Sequence, residues 1–325
     1  MARLIAVRTP LRVSFFGGAT DFPSYYRRFG ALVLAASLDQ YIDVLVRDRF
    51  AREIVLNYTR KEYADSVAQV QHALIRESMV KAGAAAGDML WHSTEVTTLA
   101  DIPSEGTGLG SSASVTVGAL HALCRFKGVA PGPGYLAETA CNIEIDVLGR
   151  PSGIQDQYMA AHGGVRVISM DADGVEVSEP LDPGDLCNYL LLVYTGVTRP
   201  SSLILGAYTD SIDAQLDRLH QLKAITHAGI SAFVMRDWER FGHLLHESWV
   251  LKQQTANVSN PDIDYLYQRA LSLGVWGGKI CGAGGGGFML LCGPPYALLE
   301  ARNLLGLRVL PFAFENAGSR AILEI

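Results

Sequence analysis

The sequence predicts an α+β protein whose two domains share a cleft. Three observations carry this. At 325 residues the chain exceeds a typical single domain. Its first half interleaves runs of strand pattern with helical stretches, and its second half reads strand, long helix, helix, helix, strand, strand, helix, strand. Between the halves, the aspartates, glycines and prolines of MDADGVEVSEPLDPGD, residues 170–185, mark turns and a boundary near residue 185. The expected domains are therefore residues 1–180 and 186–325.

Taken in order, LIAVR and RVSFF read as strands, and QYIDVLVRD joins them by putting Tyr41, Asp43, Leu45 and Arg47 on one face. Residues 62–82 place Val67, Val70, Leu74 and Met79 near helical spacing, which predicts a helix. MLWHSTEV returns to strand, and a glycine-rich loop, PSEGTGLGSSAS at 103–114, follows it. Helices are expected from Ser112 to Phe126 and from about Tyr135 to Leu148, then a strand in GGVRVIS. Beyond the boundary NYLLLVYTG is a buried-strand run, and Ile212, Leu216, Leu219, Leu222, Ile225 and Ile230 form an amphipathic stripe. Strands KICG, FMLLC, RVLPFAF and AILEI are expected to complete a second layer.

Composition narrows the function classes. With 49% hydrophobic and 18% charged residues the chain is that of a folded globular protein. A net charge of -6 argues against bulk binding to nucleic acid or to an anionic membrane. Five scattered cysteines form no CxxC pair and no zinc spacing, so reduced thiols are expected. The opening MARLIAVRTPLRV has an apolar run of only four residues, and nothing later approaches the ~18 that a membrane span needs. A cytoplasmic location is expected, and the sequence leaves a homodimer open.

Four stretches carry chemistry. PSEGTGLGSSAS strips the side chains from a loop and then starts a helix on serines. Such a turn presents unpaired N–H groups and the positive end of a helix dipole, which together hold phosphate. It has neither the P-loop nor the dinucleotide spacing, and a tight turn capped by Ser111 or Ser112 is the competing reading. In TPLRVSFFGGATDFPSYY, residues 9–26, the strand ends at Gly17 and Gly18, which permit close backbone approach. Thr20 and Asp21 sit where the chain turns and can meet sugar hydroxyls, and Arg12 is a permanent cation; a hairpin with Asp21 as a cap is the plain alternative. In EIDVLGRPSGIQDQYMAAHGG, Glu144 and Asp156 flank a Pro-Ser-Gly turn, so one can bind a metal and the other accept a proton. The fourth, KICGAGGGGFMLL, has five glycines in six positions from Gly282 to Gly287, which points to a backbone approaching a ligand or another backbone.

Other signals are weaker. His243 and His246 lie beside Glu247, but their order is not HExxH and an amphipathic surface accounts for them. There is no GxSxG elbow for serine hydrolysis. Trp91, Trp238, Trp249 and Trp276 read as core or rim aromatics.

In order and type the four stretches resemble the GHMP small-molecule kinases, named for galactokinase, homoserine kinase, mevalonate kinase and phosphomevalonate kinase, over almost the whole chain. That resemblance implies an N-terminal domain like domain 2 of ribosomal protein S5 and a ferredoxin-like C-terminal domain, with the active site between them. Within the family, TPLRVSFFGGATDFPSYY, SGIQDQYMAAHGG, TGVTRPSS and SWVLKQQ look most like the bacterial kinases of D-glycero-D-manno-heptose 7-phosphate, which serve nucleotide-activated heptose and surface polysaccharide. Galactokinases carry an acidic residue and histidine where this chain has Gly18 and Ala19, and mevalonate kinases a lysine in place of Arg12.

The resemblance also implies a division of labour. ATP phosphates would lie on the backbone of Gly106, Thr107, Gly108, Leu109, Gly110, Ser111 and Ser112, with Mg²⁺ held by Ser112 and Glu144. Asp156 would take the proton of the sugar C1 hydroxyl, and Arg12 would steady both this base and the transferred phosphoryl group. Asp21 would bind ring hydroxyls, with Gly17, Gly18, Thr20 and Gly284 around the sugar. An acceptor that already carries phosphate needs a second anion clamp, for which Arg199 and Lys252 are candidates and Lys279 a weaker third. The rival readings are a kinase of an unphosphorylated sugar such as fucose, arabinose or galactose, a non-catalytic sugar sensor, and a decarboxylase of the same fold.

Overall fold

The computed structural model describes residues 3–83, 91, 93–103, 106–197, 213–254 and 258–325. Among them the strands are β1 (Leu4–Phe16), β2 (Ala31–Asp48), β3 (Ile54–Asn57), β4 (Lys61–Ala64), β5 (Thr94–Ala100), β6 (Val165–Met170), β7 (Val175–Val177), β8 (Leu190–Tyr194), β9 (Gly277–Ile280), β10 (Phe288–Cys292), β11 (Arg308–Val309) and β12 (Arg320–Glu324). The α-helices are α1 (Pro23–Phe29), α2 (Ala73–Lys81), α3 (Ser111–Phe126), α4 (Pro133–Cys141), α5 (Gln155–His162), α6 (Leu216–Val234), α7 (Trp238–Gln253), α8 (Pro261–Ser272) and α9 (Pro295–Leu304).

The fold is α+β and built on two sheets. The larger has eight strands in the order β12-β1-β2-β5-β3-β4, with β6 on the first half of β2 and β7 on β6. The smaller has four antiparallel strands in the order β11-β8-β10-β9. LIAVR and RVSFF are one continuous strand. Pro10 interrupts its pairing with β2 at a register shift between Pro10 and Leu11, where a missing N–H is tolerated. Helix α3 lies over β1 and β2; a Cβ at Gly118 would stand 2.8 Å from Thr9 Oγ1, so glycine lets the helix sit this close.

The two layers meet through aromatic rings and one lysine. The Phe15 and Phe16 rings of β1 lie edge-on to Phe241 of α7, at centroid distances of 5.3 and 5.0 Å. Lys279 of β9 donates to the carbonyls of Ser14 and Phe15 at 2.9 and 3.1 Å. These contacts fix the cleft, because β1 forms one wall and the β9–β10 connection the other.

Several expected elements differ. The helix expected over 62–82 begins only at Ala73: residues 61–64 form an edge strand with Glu62 and Ala64 buried and Lys61 and Tyr63 exposed, the alternation of a strand. His72 starts the shortened helix by accepting the Ile75 N–H. The helix expected over 135–148 is α-helical to Cys141 and continues as a π-helical turn over Asn142–Val147. Of MLWHSTEV, residues 89, 90 and 92 lie outside the described residues, and the strand begins at Thr94. AILEI does not join the second layer: β12 pairs with β1 at the edge of the first sheet. RVLPFAF is strand only at Arg308–Val309; after Pro311 the chain crosses back, and Phe314 bridges to Leu38. Ile212 is also outside the described residues, while Leu219 and Leu222 are buried on α6 as the stripe requires.

Candidate active site

The glycine loop turns left-handed at Gly106, Gly108 and Gly110, with φ of 69°, 78° and 79°. Gly110 directly precedes α3, so the orphan N–H groups of the first helical turn face the loop. Leu109 anchors it by burying its side chain completely and accepting the Arg12 N–H at 3.0 Å. The late glycine run packs onto this loop. A Cβ at Gly108 would be 2.3 Å from Cys281 O, and one at Gly287 2.4 Å from Thr107 O, while Phe288 N donates to Thr107 O at 3.0 Å. Of the two explanations for those glycines, close approach of another backbone is the one seen, and the other backbone is the glycine loop of residues 106–110.

At the cleft floor, Arg12 and Asp156 form a bidentate pair, Nε to Oδ1 at 2.7 Å and Nη2 to Oδ2 at 2.6 Å. The third guanidinium nitrogen, Nη1, donates to Gly108 O at 2.7 Å. Arg12 is 4% exposed. It joins β1, the first turn of α5 and the glycine loop in one charged network.

Asp21 is also buried. Its Oδ2 accepts Gln155 Nε2 at 2.9 Å and the Gln155 N–H at 3.3 Å, and its Oδ1 accepts the Ala19 N–H at 3.1 Å. Burial, with the Asp156 charge adding to it, raises its carboxyl above the ordinary value, and the Gln155 bonds oppose that. Gly153 makes room: a Cβ there would be 2.0 Å from Asp21 Oδ2.

Glu144 sits in the π-helical turn, whose Leu148 N–H donates to Ile143 O. Its carboxylate accepts Ser112 Oγ at 2.8 Å, Thr116 Oγ1 at 3.1 Å and Gln157 Nε2 at 3.0 Å. Burial raises the Glu144 carboxyl, while Gln157, Ser112, Arg150 and Thr116 pull it back down. Arg150 Nη1 lies 2.9 Å from Ser112 Oγ and 3.6 Å from Glu144 Oε2, so a cationic group already stands at this pair of oxygens. The donor set, one hydroxyl and one carboxylate, fits Mg²⁺, which takes one or two protein oxygens and fills the rest of its shell with phosphate and water.

Arg12, Ser14, Gly18, Asp21, Gln155, Asp156, Lys252, Lys279 and Gly282 line an open cleft. The structure thus brings Arg12, Asp21, Asp156, Gly18 and Lys252 to one cavity, with Glu144 and Ser112 paired at the adjoining start of α3. Other expected site residues stand differently. Thr20 is fully buried and spends its hydroxyl on Gly17 O at 2.8 Å, so it shapes the loop and does not face the cleft. Gly17 lies against β2, where a Cβ would be 2.0 Å from Leu32 O. Gly284 packs on Val258, not on the cleft. Arg199 is outside the described residues. Sequence reasoning missed Ser14, Thr116, Arg150, Gln155 and Gln157. The glutamines flanking Asp156 in QDQ were the available signal, since neutral amides beside an acid are suited to holding other carboxylates.

His246 is occupied by Tyr267 OH at 2.9 Å, and among the described residues no group of three or more His, Cys, Asp or Glu is arranged to hold a metal. Among those residues no helix is long and apolar enough to cross a membrane.

Comparison with known proteins gives the family. Residues 58–164 match the N-terminal domain of the GHMP kinases and residues 222–297 their C-terminal domain. The chain is 26% identical to D-glycero-alpha-D-manno-heptose 7-phosphate kinase of Campylobacter jejuni, over 98% of this chain and 99% of that one. It is 27% identical to galactokinase of Pyrococcus furiosus, over 87% of each. In fold it is similar to the crystal structure of a D-glycero-D-manno-heptose 1-phosphate kinase from Bacteroides thetaiotaomicron, with a TM-score of 0.79 at 23% identity, covering 99% of this chain and 98% of that one.

Proposed function

We propose, from the premise that this chain belongs to the GHMP kinase family and is an ATP-dependent sugar kinase, that it phosphorylates the anomeric C1 hydroxyl of D-glycero-D-manno-heptose 7-phosphate. The observation that carries this reading is the Arg12 fork, which holds Asp156 at 2.6–2.7 Å and reaches Gly108 O of the glycine loop at 2.7 Å. One side chain thereby fixes the distance between the group that handles the acceptor proton and the loop that cradles phosphate. Placement of this kind supplies most of the acceleration in phosphoryl transfer.

In this mechanism the N–H groups of Gly106 to Ser112 bind the triphosphate of ATP, aided by the α3 dipole. Ser112 and Glu144 would hold Mg²⁺, which would neutralise charge on the phosphate oxygens. Asp21, kept in place by Gln155 and Ala19, orients the sugar by its hydroxyls. Asp156 accepts the C1 hydroxyl proton while that oxygen bonds to the γ-phosphorus, and the β–γ bridging oxygen leaves with ADP. Arg12 stabilises the charge that builds between them. The heptose 7-phosphate kinase likeness over nearly the whole chain supports the acceptor.

A screen of sugars and sugar phosphates with ATP and Mg²⁺, read as ADP release, tests the reading. Heptose 7-phosphate is expected to give the highest kcat/KM. A clear preference for fucose, arabinose or galactose would replace the acceptor, and activity on none of them, with sugar binding intact, would leave a sensor.

A further inference from the structure

Two ammonium groups and one hydroxyl in the cleft have no part in the chemistry above. Lys279 is 5% exposed and Lys252 7% exposed, yet both line the cleft beside Asp21. Lys279 gives two of its three N–H donors to Ser14 O and Phe15 O, which holds the ammonium at the end of β1. Lys252 donates to Gly282 O at 2.7 Å, which holds it from the opposite wall. Ser14, 4% exposed, lines the same cleft, and its Oγ has no hydrogen-bond partner among the described residues. Buried hydroxyls are seldom left unpaired, so an orphan beside two cations marks a place where a ligand oxygen belongs.

The charge balance points the same way. Arg12 pairs with Asp156, so the described cleft lining holds two ammonium groups and one further carboxylate, Asp21. A dianion bound between the two lysines would offset that excess of positive charge. The position selects which phosphate. Ser14 Oγ stands 3.8 Å from where a Gly18 Cβ would be, and Gln155 Nε2, the partner of Asp21, stands 3.6 Å from the same point. Ser14 and Lys279 thus stand beside the partner of Asp21, while Lys252 stands toward the glycine loop, because its acceptor Gly282 packs on Gly108.

We propose that Ser14, Lys252 and Lys279 form an anion subsite that receives the phosphate monoester already carried by the acceptor and so selects sugar phosphates over free sugars. The proposal rests on the heptose-phosphate reading above. Gly18 belongs to it by absence, since any side chain there would enter the space between Ser14 and Gln155.

Steady-state kinetics on heptose 7-phosphate and on unphosphorylated D-glycero-D-manno-heptose, for wild type, Lys279→Met, Lys252→Met and Ser14→Ala, test it. Both methionine variants are expected to raise KM for heptose 7-phosphate about 10- to 100-fold, the loss of one charge-assisted bond to phosphate. Values for the unphosphorylated sugar should stay within about threefold in Lys252→Met; Lys279→Met also releases the contact to β1, so its readout is a larger loss on heptose 7-phosphate than on the free sugar, and Ser14→Ala, a milder change, should move KM for heptose 7-phosphate in the same direction. Equal losses on both acceptors, or a fall in kcat alone, would overturn the subsite and assign the lysines to the transferred phosphoryl group. If wild type itself prefers the unphosphorylated sugar, the acceptor reading fails. Calorimetric titration of nucleotide-free enzyme with inorganic phosphate then decides the subsite by itself: binding lost in Lys279→Met with ATP affinity kept supports it, and equal phosphate affinity in both proteins overturns it. Thermal melts confirm that the variants fold.

Discussion

Arg12 and Asp156 meet fork to fork, with both guanidinium–carboxylate contacts at 2.7 Å or less, although they are 144 residues apart in the chain. Two planar groups in this arrangement leave little freedom to either side chain, so Asp156 is oriented before any substrate arrives. The consequence is a difference between charge and geometry that mutants can separate.

Asp156→Asn keeps the shape of the side chain and removes its basicity. Its kcat is expected to fall about 10²- to 10⁴-fold, the range for loss of general base catalysis, with nucleotide affinity preserved. Arg12→Lys keeps the charge and loses the planar fork, so it should fall short of wild type while exceeding Arg12→Met. ADP release for the three variants is the measurement. Wild-type turnover by Asp156→Asn would remove Asp156 from the proton transfer.

Gln157 reaches no substrate in the proposed mechanism, yet its Nε2 holds Glu144 Oε1 at 3.0 Å. Outer partners of this kind typically contribute about 10- to 100-fold to metal affinity. Gln157→Leu should therefore raise the Mg²⁺ concentration for half-maximal activity by about that factor. Because Gln157 is one of the groups pulling the raised Glu144 carboxyl down, its loss raises that group further. The Mg²⁺ requirement of the variant should then grow as pH falls, since protons compete for the same oxygen. A Mg²⁺ titration curve identical to wild type at every pH would separate Glu144 from the metal.

The late glycine run gives a prediction of a different kind, because its role is contact between two backbones. Gly287 has φ of 83°, and a Cβ on it would meet Thr107 O at 2.4 Å and Gly106 O at 2.6 Å. Gly287→Ala should cost on the order of 1–3 kcal/mol from its backbone conformation alone. It should also push the glycine loop out of place, so ATP affinity falls although residue 287 lies 175 positions from Ser112. Denaturant melts and nucleotide titration read the two effects. A variant as stable as wild type with unaltered ATP affinity would refute the contact.

How much of this was legible in the sequence depends on the range of the interaction. The glycine loop, the start of α3 and the acid after the Pro-Ser-Gly turn are local patterns, and the sequence carries them plainly. The pairing of Arg12 with Asp156 came only from family resemblance, since nothing local in TPLRV announces a partner beyond residue 150. The placement of Thr20 is not legible locally, because a hydroxyl beside an aspartate looks the same whether it faces a sugar or closes its own turn on Gly17. The strand over 320–324 reads as β in either sheet; its partner β1 is fixed by tertiary packing, which periodicity does not encode. Glu62 shows the limit from the other side: EYADSVAQV has apolar spacing compatible with a helix, and only the burial of Glu62 and Ala64 on one face of an edge strand decides against it.

The two cleft lysines make binding of a phosphorylated acceptor depend on pH. Burial, the largest cause for each, lowers Lys252 to about 8 and Lys279 to about 7; the Lys252 charge and then Arg12 lower Lys279 further, and Arg12 also lowers Lys252. Asp21 and the Cys281 thiol oppose the shift in both cases, as does Asp156 for Lys252. The sign follows from which form binds phosphate. A phosphate monoester is mostly dianionic above its second pKa of about 6, and it binds the protonated lysines. Below about pH 7 the site is charged and ready. As pH rises through about 7 and then about 8, protons leave first Lys279 and then Lys252, and each binding event must recover them. KM for heptose 7-phosphate is thus expected to rise with pH across that window, by up to about tenfold per pH unit for each proton taken up. KM for the unphosphorylated heptose has no such dependence on these groups and should stay nearly level. Lys279→Met should abolish the lower step and leave the upper one. Parallel pH profiles for the two acceptors in wild type would mean that the lysines do not touch the acceptor's phosphate.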